Sequence, residues 1–167
     1  MFLNLLCKHY ILLTNVIMII NKDFRRRVDF VVRQTWKNIE KMYNLEASKY
    51  DVSFSISFTL ISIDPENGSP STSIGPVMGL ESNSISRILN SMENKNLITR
   101  RPDPNDGRGI IISLTKLGLK KRKIVIEKIR HFKNLVRSKI DASDLDAFHR
   151  VASQVNDIIE EGDVFKI

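Results

Sequence analysis

Residues 80–115 read LESNSISRILNSMENKNLITRRPDPNDGRGIIISLT. A helical pattern rich in small polar residues opens the stretch, and a short strand carrying Arg100 and Arg101 follows. A Pro/Asp/Asn/Gly loop then ends in Asp106-Gly107-Arg108, and an apolar strand closes on Leu114-Thr115. In that order the residues spell a helix suited to a DNA major groove with an arginine-tipped hairpin beside it. That is the core of a winged helix-turn-helix.

Upstream of this core, residues 71–79 carry a short helix over 74–79, with Pro76 tolerated only in its first turn. Gly79 supplies the sharp turn into the next helix, which spans 82 to about 95 and holds Ile85, Ile88, Leu89 and Met92 on one face. Residues 97–101 and 109–114 read as the two strands of an antiparallel hairpin with an extended tip. The DPENGSPSTS stretch at 64–73 is a loop. Residues 53–63 are ambiguous. Val52, Phe54, Ile56, Phe58 and Leu60 alternate with polar residues as in a strand, while Ser53 as a cap before an apolar run favours a helix.

Longer helices flank the core. One runs from about residue 23 into the high forties behind Asn21 as cap, with Phe24, Val28, Val32, Trp36, Ile39 and Met42 at helical spacing. Thr115 begins another, with Ile124, Ile129, Phe132, Leu135, Val136 and Ile140 facing inward. A capping box of Ser143 and Asp146 starts the last, whose stripe is Leu145, Phe148, Ala152, Val155 and Ile159. These outer helices have little of their own to cover their apolar stripes, which suits a helical dimer interface better than folding back on one chain.

Charge supports a polyanionic partner. The chain of 167 residues carries a net +7, a balance that fits nucleic acid and also anionic lipid. Its distribution says more. Between residues 116 and 139 the only acid is Glu127 among ten lysines and arginines, whereas 141–163 carries seven acids against Arg150. Positive potential thus concentrates beside the hairpin. Cys7 is the single cysteine, so no intrachain disulfide forms and a reducing compartment is expected. Residues 1–20 are apolar but interrupted by Asn4, Lys8, His9, Thr14 and Asn15, which argues against a membrane span or a secretory signal.

A base-reading helix needs short exposed side chains that let its backbone approach the groove. Ser82, Asn83, Ser84 and Ser86 meet that need, and Arg87 follows on the same side; the plain alternative is a solvated helix start. Arg108 on a narrow loop suits a minor groove, where negative potential is strongest. Arg100 and Arg101 are expected on phosphates, and Asp106 is expected to hold one of the three guanidinium groups by a charge-assisted bond. A solvated turn with a surface ion pair is the alternative.

With these residues in place, 71–118 resembles the DNA-binding core of the MarR family of bacterial transcriptional regulators. The family's wing motif stands here as Asp106-Gly107-Arg108, Ile110-Ile111-Ile112, Leu114-Thr115 and Gly118. Its short helix ending in a glycine matches 74–79, and its Ser/Thr-rich recognition helix matches 82–97, with Asn96 where a glycine is usual. The resemblance implies an obligate homodimer, wings in minor grooves and recognition helices in major grooves, and it implies that 53–63 is helix. It also implies a small aromatic or amphipathic effector, for which Trp36, Tyr43, Phe54 and Phe58 are candidate lining residues, although such aromatics also serve as plain core.

The expected architecture is mainly α (α+β): an N-terminal extension at 1–20, a dimerisation helix at 21–52, a winged lobe at 53–118 and dimerisation helices at 119–167. The expected function is a cytoplasmic, nucleoid-associated repressor binding double-stranded DNA as a homodimer. A winged-helix protein-interaction module is the alternative. No membrane partner and no cofactor are expected. No P-loop, dinucleotide fingerprint or nucleophile elbow argues for an enzyme. His9, His131 and His149 lack metal-ligand spacing.

Overall fold

A computed structural model describes residues 24–104, 106–162, 164 and 165. The extension at 1–20, its Cys7 and His9, and the Asn21 cap lie outside the described residues. In chain order the elements are α1 (Val28–Ser48), α2 (Phe54–Ser62), β1 (Ser69–Pro70), α3 (Ser71–Met78), α4 (Ser82–Asn94), β2 (Ile98–Asp103), β3 (Asp106–Leu114), α5 (Lys116–Lys139) and α6 (Ala142–Glu160). Two compact units divide after Ser57, within α2.

The first unit is dominated by α1. Its helix begins at Val28 rather than near residue 23, because residues 25–27 form a turn closed by the Arg27 N–H on the Phe24 carbonyl. The Asn44 side chain accepts from the Phe54 N–H, and Ser53 Oγ accepts from the Ile56 N–H, so Ser53 caps α2 as a helix. The alternating pattern at 52–60 therefore misleads. This helix buries Ile56, Ser57, Thr59 and Leu60 on several sides, and a helix covered nearly all round shows no single apolar stripe.

The second unit is the winged lobe. Leu60, Ile63, Ile74, Met92, Leu97, Ile98 and Ile112 are its most deeply buried apolar side chains. Its sheet has the order β1-β3-β2 and is antiparallel throughout. The loop expected over 64–73 is shorter than its composition suggests. Asp64 Oδ1 accepts from the Glu66 and Asn67 N–H groups, and Ser69 and Pro70 then pair with Ile112 and Ile111. Those two amides hold the Asp64 carboxyl below the usual carboxylate range, with Arg122 adding a smaller effect. Pro76 lies in the second turn of α3, not the first. It cannot donate to the Thr72 carbonyl, and an eight-residue helix loses only that one bond.

Three chain reversals use the same device. Gly79 (φ +62) accompanies Leu80 N–H on Gly75 O and Gly79 N–H on Pro76 O; Asn96 (φ +55) accompanies Leu97 N–H on Met92 O and Asn96 N–H on Glu93 O. Asp51 (φ +55) repeats the pattern after α1. Each is a Schellman ending with a left-handed residue. Asparagine and aspartate tolerate that conformation better than other non-glycine residues, so Asn96 preserves the turn that the family usually builds with glycine.

Thr115 caps α5 by accepting from the Gly118 N–H, and its own hydroxyl donates to the Asn96 carbonyl. The last helix differs from expectation: its cap residue is Asp141, whose carbonyl accepts from the Asp144 and Leu145 N–H groups, and no side-chain cap forms. Ser143 and Asp146 have capping-box spacing but lie inside the helix. Along α5, Ile124, Ile129, Phe132 and Val136 are half-buried, while Leu135 and Ile140 stay exposed. No residue of α6 is buried. The apolar stripes of the outer helices are therefore open, including Val28, Val32 and Trp36 on α1 and Phe148 and Ile159 on α6.

Candidate nucleic-acid interface

The helix-turn-helix consists of α3, the Gly79 turn and α4. Ile85, Leu89 and Met92 are buried, and Ile88 is half-buried, so the opposite face of α4 is turned outward. Ser82, Asn83, Ser84, Ser86 and Arg87 are all exposed there. The Ser86 hydroxyl donates to the Ser82 carbonyl at 2.8 Å, leaving its oxygen as an acceptor. Glu81 occupies the cap position without a side-chain cap bond.

Beside α4 the hairpin of β2 and β3 forms the wing, and its strands run further than the sequence suggested. Pairing continues to Asp103 opposite Asp106, so the expected extended tip is shorter than the sequence suggested. The register jumps from Pro102 opposite Ile110 to Asp103 opposite Asp106, which pushes residues 107–109 out as a bulge. Arg108 is exposed on that bulge. A Cβ at Gly109 would meet the Asp103 Cβ at 2.9 Å, whereas one at Gly107 would meet nothing within 4 Å. The bulge thus needs glycine at 109 for space.

Among the described residues, the carboxylate of Asp106 holds no guanidinium. It accepts the backbone N–H of Arg108 at 3.0 Å, an Asx turn that fixes the chain under the arginine rather than the arginine itself. The other two wing arginines are committed within the lobe. Arg100 Nε lies 3.1 Å from Glu93 Oε2, and its Nη2 donates to Asn90 Oδ1, both on α4. Arg101 Nη2 donates to the Asn67 carbonyl at 2.9 Å, in the turn before β1. Both arginines remain exposed. Sequence reasoning missed Asn90, Glu93 and Asn67. One signal was present: Glu93 is the only acid from 82 to 94, and the next strand carries two arginines.

The aromatic candidates divide between the units. In the first, Trp36 packs edge-on against Phe54 at 5.8 Å, and Tyr43 stacks on Phe54 at 6.0 Å. Burial pushes the Tyr43 phenol up. Phe58 belongs to the second unit and is half-buried. Among the described residues, no group of three or more His, Cys, Asp or Glu side chains is arranged to hold a metal ion. No described helix is long and apolar enough to cross a membrane.

Residues 58–110, from α2 to the third strand, match the sequence profile of the MarR family. Over that stretch the winged lobe is similar to the MarR family. Proteins of the MarR family are transcriptional regulators rather than enzymes. A curated relative is the HTH-type transcriptional regulator SarZ of Staphylococcus haemolyticus, 26% identical over 90 residues; the match covers 54% of this chain and 61% of SarZ. Among solved structures, the S. aureus MepR–DNA complex superposes with a TM-score of 0.72 at 16% identity, covering 78% of this chain and 97% of MepR. The PcaV transcriptional regulator of Streptomyces coelicolor, solved with its natural ligand, gives 0.65 at 19%, covering 79% and 93%. At such identities the likeness establishes the MarR-type winged-helix fold.

Proposed function

We propose that this chain is a sequence-specific DNA-binding transcriptional regulator, a ligand-responsive repressor that grips a pseudo-palindromic operator as a homodimer. The observation that carries the reading is that one lobe exposes two different DNA-reading elements. The α4 face of Ser82, Asn83, Ser84, Ser86 and Arg87 offers short donors and acceptors, and the wing bulge offers Arg108. Serine, asparagine and arginine read base edges in a major groove, and a projecting arginine senses minor-groove width. The dense lysines and arginines of α5 supply affinity through phosphate neutralisation.

A homodimer is favoured by the open apolar stripes of α1, α5 and α6, which a second copy would cover. In this reading 21–52 and 119–167 are the dimerisation helices, and 53–118 is the DNA-binding lobe. The effector would be a small aromatic or amphipathic molecule entering at the aromatic cluster of Trp36, Tyr43 and Phe54. Double-stranded DNA is the partner, and the site of action is the cytoplasmic nucleoid.

The test is selection of genomic fragments by the purified protein, followed by footprinting. The expected result is one enriched sequence with two-fold symmetry and protected half-sites about one helical turn apart. Recovery of fragments with no shared sequence would refute operator recognition.

A further inference from the structure

We infer that Arg100 is a positioning residue that sets the angle between the recognition helix and the wing, not a phosphate contact. The inference rests on the regulator reading and deepens it. Arg100 leaves β2 and reaches α4 with two separate donors, Nε toward Glu93 Oε2 at 3.1 Å and Nη2 toward Asn90 Oδ1. A guanidinium engaged through two donors of its rigid fork fixes direction as well as distance. Its acceptors lie three residues apart, on one side of α4. Three of its five N–H donors stay free, so positioning rests on the fixed direction of the guanidinium and not on exhausted donors.

Neighbouring Arg101 makes the wing's other tether, to the Asn67 carbonyl. Successive strand residues point to opposite sides, so β2 is held on one side to α4 and on the other to the turn before β1. Arg108, further out on the bulge, inherits whatever direction these tethers impose. Because Arg100 and Glu93 are both partly exposed, at 34% and 45%, their pair adds little to folding. Its effect falls on the orientation of two elements that must enter adjacent grooves together.

Charge gives the experiment its sign. Glu93→Gln removes a negative charge from a DNA-facing lobe and on electrostatic grounds alone strengthens binding; Arg100→Gln removes a positive one and weakens it. A positioning role predicts that both variants lose operator affinity, each by about fivefold, the worth of one such pair. The double variant is then no weaker than Arg100→Gln alone. Melting temperatures and the slope of log affinity against log salt stay as in the parent. Random duplex should bind Glu93→Gln at least as tightly as the parent. Operator affinity undiminished in Glu93→Gln, with Arg100→Gln lowering the salt slope by about one, would make Arg100 a phosphate contact and overturn the inference.

A second measurement separates this failure from failure of the regulator reading. With Cys7, the sole cysteine, replaced by serine, spin labels at Asn94→Cys and Gly107→Cys report the helix-to-wing distance without DNA. A Cβ at 107 meets nothing within 4 Å, so the label fits there. Arg100→Gln and Glu93→Gln should each broaden or shift that distribution. An unchanged distribution in both would refute the positioning role even if the parent binds its operator. A parent without operator preference would refute the regulator and leave the distance measurement to decide the role of Arg100.

Discussion

The Leu97 carbonyl accepts from the Thr115 N–H, and a Cβ at Gly118 would collide with that same oxygen. Gly118 is therefore a requirement of close approach between the start of α5 and the start of the wing. Gly118→Ala should destabilise the lobe by about 1–3 kcal/mol, the range for forcing atoms into a packed site; a denaturant titration against the parent checks this. Asn96 makes the complementary point. Its φ of +55 suits asparagine or glycine, so Asn96→Gly should leave stability nearly unchanged while Asn96→Val lowers it by about 1–2 kcal/mol. The sequence motif marked Gly118 as a family position, but its physical reason needed the Leu97 carbonyl in view. Arg108→Ala, at an exposed bulge, should weaken operator binding about tenfold with no change in melting, as expected for one lost groove contact.

At the scale of elements, what could be read depended on how each segment is covered. The faces of α4 were legible because three buried residues alternate with polar ones at helical spacing. Residues 53–63 were not, since α2 is buried on several sides and its serines and threonine mimic strand alternation. The wing was legible as a hairpin, yet the bulge at 107–109 and the tethers of Arg100 and Arg101 depend on contacts across sequence. The start of α6 was misread because Ser143 and Asp146 satisfy a spacing rule that Asp141 pre-empts two residues earlier. The Asp64 turn carries a pH consequence. Its carboxyl is held below the ordinary value near 3.8, so it contributes stability above that pH and loses it as pH falls through the lowered value. Asp64→Ala should lower the neutral-pH melting temperature and flatten the acid limb of the melting profile below about pH 4; a profile parallel to the parent's would contradict that role for the turn.

For the whole molecule, the account needs two copies. Val28, Val32 and Trp36 on α1 and Phe148 and Ile159 on α6 are too exposed for a stable solitary chain to leave open without cost. Phe148→Glu should weaken self-association at least about tenfold, the effect of placing a charge in an apolar contact, with sedimentation as the readout and the winged lobe's circular dichroism unchanged. Trp36 is the only tryptophan and packs edge-on against Phe54, so its fluorescence should respond when an aromatic effector binds. An effector that releases DNA without altering that emission would place the ligand elsewhere.

The central claim is operator recognition by the α4 face and the wing together. Its most direct measurement is equilibrium binding of the purified protein to its selected genomic site and to random duplex of equal length, across a salt series. The account predicts a preference of about a thousandfold or more and two copies per site. It also predicts a log–log salt slope of roughly −5 or steeper. Equal affinity for the two duplexes at physiological salt would contradict it.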